Sequence, residues 1–523
     1  MDLSTMTIVL MAIPLIAALV MAALPARMLP RWAYESIHIL SVGAVCFLAI
    51  YLAFTVVSSG EAINAIGLWF HLDSLASVFV ILIGVIGLLT GWYSLAYIRH
   101  DAEKGAMKPS QVKQYYVFFN LFIFTMLVVA LSNNIIMMWV GIEATTLSTV
   151  FLVGAYNTKL SLEAAWKYII VCTAGVAFGL YGTLLVYANA ADIMADPHMA
   201  VFWSSLLPYA TQFDAMLIQI AFVFAAIGFG TKAGLFPMHT WLPDAHSEAP
   251  SPVSALLSGV LLKCAVLIII RFYILAIEAV GPEFPQTLML IIGILSIVVS
   301  AFAILTQNDL KRKLAYSSCE NVGIVALCLG FGGPLGIAAA LLHCIMHGFT
   351  KALMFCISGN VLMKYGTRDL NKIKGVLKLA PATAVLMMIG LFGLSGFPPF
   401  AMFTSEVLAI VAGVVSDRLW LVIIFGLALT IVIAAFMMVV AKSVTSKAEE
   451  GAKKGDLGLL ALAPEVVLAA VILWFGVAMP APMVQTVESA TEIVLQEKVD
   501  VFSDGSIFAS LISDGSSDTV TSE

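Results

Sequence analysis

Stretches of about 18 or more largely apolar residues, the length a helix needs to cross the hydrocarbon core of a bilayer, recur along almost the whole chain. They begin near Thr7, Ser36, Asp73, Gln114, Asn134, Ser161, Ala215, Pro252, Leu288, Leu314, Leu335, Pro381, Leu419 and Gly458, which makes about fourteen candidate spans. With 61% of the 523 residues hydrophobic and only 11% charged, no soluble core could take up so much apolar surface. Backbone donors and acceptors in hydrocarbon must pair within their own segment, so such spans are helices. The expected fold is an all-α polytopic membrane protein in a lipid bilayer. Met1 is followed by Asp2 with no basic n-region, so the first span reads as an uncleaved helix rather than a removed signal peptide.

Lysine and arginine crowd alternate connections. They follow spans one (Arg27, Arg31), three (Arg99, Lys104, Lys108, Lys113), nine (Lys311, Arg312, Lys313), eleven (Lys364, Arg368, Lys372, Lys374, Lys378) and thirteen (Lys442, Lys447, Lys453, Lys454). Connections after even spans carry acids instead: Glu61, then Asp192, Asp196 and Asp214, then Glu278 and Glu283. The positive-inside rule then makes the odd connections cytoplasmic and puts both termini outside, in the periplasm of a cell with an inner membrane. The net charge of −6 is spread over loops and suggests no nucleic-acid partner. The seven cysteines show no CxxC spacing and read as small buried hydrophobes, not as an iron–sulfur site.

Two spans are interrupted by proline at corresponding places: the seventh between Lys232 and Pro237, the twelfth at Gly396-Phe397-Pro398-Pro399. Paired broken helices point to a transport site between inverted repeats. That divides the chain into residues 1–112 (spans one to three), 113–280 and 281–442 (two inverted five-helix repeats), 443–484 (span fourteen) and a polar tail, 485–523. The tail reads as a short surface segment or disorder, without a long amphipathic lateral helix.

Several ionisable residues lie within apolar spans: Glu143, Lys167, Lys232, Lys263, His343, His347, Lys351 and Glu406. A charge at the bilayer centre costs about 2.5–3.5 kcal/mol on insertion scales, so such groups face protein or water. Lys167, near a helix start, fits a snorkelling or paired charge equally well. His343, His347 and Lys351 are spaced four and four and stack along one helix face. Alternating acids, lysines and histidines are what a proton wire needs. An HxxxH metal pair at His343 and His347 lacks a third ligand on the same face, and a bis-histidine haem lacks histidines on facing helices. His239, Asp244, His246 and Glu248 follow the seventh-span break, as a loop network, a proton entrance or a contact between subunits. The basic run Asn308–Ser318 reads mainly as an anchor at the cytoplasmic surface.

The stretches KAGLFPMHTWLPDAHSEAPSPVSALLSGVLLK, TQNDLKRKLAYSSCENVGIVALCLGFG, HCIMHGFTKALMF and GFPPFAMFTSE resemble the antiporter-like subunits of respiratory complex I and its relatives. The resemblance covers roughly residues 70–410, and WVGIEATTLST and SLEAAWKY look most like component F of hydrogenase-4 and formate hydrogenlyase-type complexes. It implies that Glu143 pairs with the broken-helix Lys232, that Lys263 joins the two halves, and that His343, His347 and Lys351 form a central axis. Glu406 then becomes the terminal group toward the next subunit or the outside, and Lys167 matches less firmly. Some relatives have a histidine where this chain has Ser258. No nucleotide, flavin, quinone or metal motif is visible, so no cofactor is expected in this chain. The resemblance implies a non-redox, proton-translocating subunit of an oxidoreductase complex, of hydrogenase or NADH:quinone oxidoreductase type. Its partners would be sister antiporter-like membrane subunits and hydrophilic hydrogenase-like redox subunits. The alternative is a subunit of an Mrp-type sodium/proton antiporter, which has the same core and no redox link.

Overall fold

A computed structural model describes residues 2–24, 30–448, 451 and 453–502; Arg27 and the tail beyond residue 502 lie outside the described residues. Among the described residues thirteen helices are long and apolar enough to cross a membrane: Leu3–Ala23, Arg31–Ser59, Ser74–Glu103, Pro109–Leu131, Ile135–Val153, Lys159–Ala191, Ala215–Ala233, Ser251–Val280, Glu283–Thr306, Leu310–Phe331, Gly333–Tyr365, Leu419–Val444 and Leu459–Val477. The twelfth span is the exception. It consists of two shorter apolar helices, Pro381–Leu394 and Ala401–Val415, joined at the Gly396–Pro399 break. Numbering spans in chain order, each expected apolar stretch is occupied by helix.

The helices start where the sequence supplies caps. Asp73 accepts from the Ala76 amide at 2.8 Å, Asn134 from Ile136 and Met137, Asp214 from Leu217 and Asp309 from Arg312, each satisfying orphan donors of a first turn. Spans eight and eleven are buried along their whole apolar windows, and spans three and ten nearly so. Spans two, six and thirteen instead expose Phe47, Phe54, Ile170, Ile423 and Leu427 to the surroundings, as lipid-facing helices do. Small residues let some helices touch backbone to backbone. A Cβ at Gly293 of span nine would fall 2.6 Å from the Leu327 amide nitrogen of span ten, and one at Gly228 of span seven would strike the Gly179 backbone of span six.

The two ends differ. At one end a hairpin of Ile63–Ala65 and Phe70–Leu72 is tied to the connections after spans four and six by the bridges Phe70↔Ser132 and Asn134↔Phe202. Asp73 and Arg271 form a fully buried ion pair there at 2.6 Å, with Trp203 against the guanidinium. The other, basic end is laced by Arg312–Asp244, Arg368–Glu248, Arg368–Asp309 and Arg99–Glu35. The expected polar tail needs correction. Residues 485–495 belong to a helix, Ala481–Leu495, whose Val487, Ala490 and Val494 are buried against spans three and eleven. The boundary at residue 442 also falls inside span thirteen, which continues to Val444.

Candidate functional site

Glu143, on span five, is half-exposed on the outer face of the bundle. Thr173 of span six donates to its carboxylate at 2.7 Å, and Thr146 one turn further along span five donates at 3.5 Å. Lys232 is fully buried at the end of Ala215–Ala233 and donates to Thr146 Oγ1 at 2.8 Å and to the Tyr168 hydroxyl at 2.6 Å. Its ammonium also stands 4.6 Å from the Tyr168 ring centroid. The expected direct Glu143–Lys232 pair is therefore replaced by a bridge. Thr146 stands between the two, because span five turns its carboxylate outward while the lysine points into the bundle.

The break in span seven starts at Gly234, whose φ of +86° suits glycine alone among common residues. The backbone groups it frees find partners: Trp241 Nε1 donates to the Thr231 carbonyl at 2.9 Å, and Ser296 Oγ accepts from the Phe236 amide at 2.9 Å. His239 lies within this break, buried between the Phe236 and Tyr316 rings.

Lys263 is held by a defect in its own helix. Residues Leu257–Leu261 form a π-turn, and Lys263 Nζ donates to the Ser258 carbonyl at 2.5 Å; π-turns of this kind are frequent at functional sites. From Ser258 a series of polar contacts continues, passing through side chains and backbone carbonyls. Ser258 Oγ meets Ser318 Oγ at 2.7 Å, Ser318 donates to the Leu314 carbonyl at 3.1 Å, and Lys351 Nζ donates to that same carbonyl at 2.7 Å. Lys351 also donates to Ser317, whose carbonyl accepts from Asn321 Nδ2 at 2.6 Å. Asn321 Oδ1 faces His343 Nε2 at 3.0 Å, and His343 Nδ1 faces Ser405 Oγ at 2.9 Å. The next residue, Glu406, is buried with its carboxylate against Gly396 in the twelfth-span break.

The contacts of His343 can accommodate either protonation state of its ring. Asn321 Oδ1 is an acceptor, so Nε2 carries its hydrogen. Ser405 has one hydroxyl hydrogen and two acceptors, His343 Nδ1 and the Met402 carbonyl at 2.9 Å. Turned to Nδ1 it stabilises the neutral ring; turned to Met402 it leaves its oxygen free to accept from the doubly protonated ring. His347 stacks 6.1 Å from His343, nearly parallel, and neither of its nitrogens has a protein partner.

Among the described residues Lys232, Lys263 and Lys351 form no ion pair with a carboxylate. Each ammonium is met by hydroxyls and carbonyls instead. Lys167 stands apart from this line. It is exposed at the basic end, 2.8 Å from Glu163 and 3.2 Å from Asp244, which also binds Arg312. The sequence alone does not show Tyr168 and Thr146, which hold Lys232, Asn321 and Ser405, which complete the line, or Glu320, fully buried and hydrogen-bonded to Asn321 at 2.5 Å. Glu320 falls just past the basic run at the start of span ten, so it reads as part of an interfacial cluster. Its depth shows only once that whole helix is seen to be enclosed.

A membrane bundle with two broken helices and a line of buried lysines and histidines defines an ion-translocating class. The family model described as NADH:quinone oxidoreductase/Mrp antiporter, TM matches residues 132–433. The chain belongs to this family. It is 39% identical over 346 residues to a hydrogenase-4 component F homolog of Methylacidiphilum infernorum, a match covering 66% of this chain and 72% of that protein. It is 32% identical over 348 residues to hydrogenase-4 component B of Escherichia coli, covering 64% of this chain but only 49% of that protein, so it spans about half the length of that relative. A chain of the archaeal membrane-bound sulfane sulfur reductase shares the fold with a TM-score of 0.84 at 24% identity, over 94% of this chain and 97% of that one. A chain of respiratory complex I from Thermus thermophilus does so with a TM-score of 0.78 at 21% identity, over 94% and 99%.

Proposed function

We propose that this chain is a proton-translocating, antiporter-like subunit of a redox-driven membrane complex of the hydrogenase-4 or NADH-quinone oxidoreductase type. The observation that carries the reading is the buried line from Lys263 through Ser258, Ser318, Lys351 and Asn321 to His343 and Ser405, flanked by Lys232 on one side and Glu406 on the other. An ammonium buried without a counter-ion costs several kcal/mol, so a change at one position alters the cost of charge at the next. In this reading a redox event in a partner chain changes the charge near Glu143, Lys232 responds through Thr146, and protonation shifts along the line to Glu406. The half-exposed Glu143 and the break at Glu406 are where sister subunits would dock. Electron transfer belongs to hydrophilic partners, with the basic end in the cytoplasm and both termini in the periplasm of an inner cell membrane.

Purification in mild detergent tests the assembly: sister membrane subunits and a metal-cluster-bearing hydrophilic chain should accompany it. Recovery of a complex lacking any redox chain, with sodium-dependent exchange, would favour the Mrp-type alternative instead. Orientation is tested by impermeant maleimide labelling after permeabilising any outer membrane, on a background lacking reactive cysteines. Glu61→Cys should label and Lys372→Cys should not; the opposite pattern would invert the topology.

A further inference from the structure

Span fourteen carries a buried carboxylate outside the line described above. Glu465 is fully buried; its Oε2 accepts from Asn360 Nδ2 of span eleven at 2.7 Å, while Oε1 has no protein partner. Asn360 Oδ1 in turn accepts from the Tyr93 hydroxyl of span three at 3.0 Å. Three helices thus converge on one carboxyl group, and one of its oxygens remains available. A buried acceptor left in this way costs about 1–3 kcal/mol or more unless water reaches it.

A polar route leads from this carboxylate to the basic end. The Tyr93 ring lies 6.1 Å from the Tyr97 ring. Ser251 Oγ lies with the Tyr93 hydroxyl over Gly359. The Tyr97 and Tyr156 hydroxyls lie 3.0 Å apart, and the Tyr156 hydroxyl donates to Asp101 at 2.6 Å. Tyr97 and Tyr156 line a cavity of about 170 Å³ whose other walls include Ser247, Lys311 and Arg368. Its size allows several waters at about 30 Å³ each. Tyrosine and serine hydroxyls both donate and accept, so they order water without blocking proton exchange.

We propose that Glu465 is a further proton-binding carboxylate, loaded from the basic end of the bundle along the Tyr156–Tyr97–Tyr93 side of spans three and eleven. Asn360 holds Oε2, which leaves Oε1 to take the proton. Loading is one proton transfer: an O–H bond breaks in a hydronium ion beside Tyr93 and Ser251, and an O–H bond forms at Glu465 Oε1. Asn360, which holds the carboxyl, lies nine residues beyond Lys351 on span eleven, toward the basic end, so Glu465 would supply the central line from that side. The transport role rests on the proton-translocating reading given above; proton access to Glu465 does not.

The test uses the intact complex. Glu465→Gln keeps the shape and an oxygen that accepts from Asn360, so a purely structural carboxyl should be replaced without loss. Redox-driven acidification of proteoliposomes by Glu465→Gln should fall at least tenfold, with wild-type assembly on native gels and unchanged electron transfer in the detached redox module. A Gln variant that pumps at the wild-type rate, while Lys232→Met in the same complex does not, overturns the proposal and leaves the translocation reading intact. A wild-type complex that builds no gradient overturns that reading instead. In that case infrared difference spectra decide the proposal. A protonated-carboxyl band lost in Glu465→Gln should shift promptly on transfer to deuterium oxide, and a band that does not exchange shows that no proton route reaches Glu465.

Discussion

Removing Arg271 should show how much the end opposite the basic face depends on a single buried ion pair. Its guanidinium donates twice to Asp73, at 2.6 and 2.8 Å, and stands 4.2 Å from the Trp203 ring centroid, while both charged side chains are 4% exposed. Arg271→Met preserves most of the apolar stem but leaves Asp73 with the Ala76 amide and a more distant His71. Breaking a buried pair by deleting one partner costs about 3–5 kcal/mol, because the remaining charge is stranded. The double variant Asp73→Asn/Arg271→Met strands no charge and should recover part of that loss. The pH dependence carries a definite sign. In the wild type burial pushes the Asp73 carboxyl up, but Arg271 and His71 outweigh it and hold it below the ordinary 3.8. Its stabilising contribution is therefore complete above that ordinary value and fades only as pH falls through the lower folded value. Without Arg271 burial is opposed only by the Ala76 amide and His71, so the Asp73 carboxyl rises from its wild-type value and the variant's deficit should shrink as pH falls and Asp73 takes up a proton. Thermal aggregation midpoints in detergent at several pH values measure this. A single variant with the wild-type midpoint, or a deficit unchanged by pH and by Asp73→Asn, would refute the stranded-charge argument.

Gly396→Ala should weaken transport through geometry alone. At φ +63° an alanine is strained by about 1–2 kcal/mol, and its methyl group would collide with the Glu406 carboxylate; a normal rate of gradient formation would detach Glu406 from the break. Replacing His347 with alanine should slow gradient formation far more than His100→Ala. His100 lies in the last turn of span three, partly exposed beside Asp101, and equal effects would remove His347 from the central line.

The spans, both breaks and the buried lysines were legible because each is a local departure from apolar sequence. Lys232 stands out five residues before Pro237, and Lys263 deep within an apolar run, without any knowledge of neighbours. What pairs with them was not legible. Thr146, Tyr168 and Ser405 are ordinary helix residues until folding brings spans five, six, seven, eleven and twelve together. Asp73 caps the start of span three and Arg271 sits nine residues before the end of span eight, and only the packing of Trp203 shows that the pair is sealed. Glu465 was hidden for the same reason, standing six residues into span fourteen behind Pro464. The helix Ala481–Leu495 was read as polar tail although Val487, Ala490, Thr491 and Val494 recur at spacings of three and four; that periodicity was a usable signal.

Lys232→Met tests the central claim most directly. The substitution removes two charge-assisted hydrogen bonds, to Thr146 and Tyr168, each worth about 1.5–3 kcal/mol. It also relieves the several-kcal/mol cost of burying an unpaired ammonium. Tyr168 keeps its 2.6 Å contact with Thr149, and Glu143 keeps Thr173, so no buried charge is stranded and the complex should assemble normally. Redox-driven acidification of proteoliposomes, normalised to assembled complex, should then fall at least tenfold. Undiminished acidification by that variant would contradict the account.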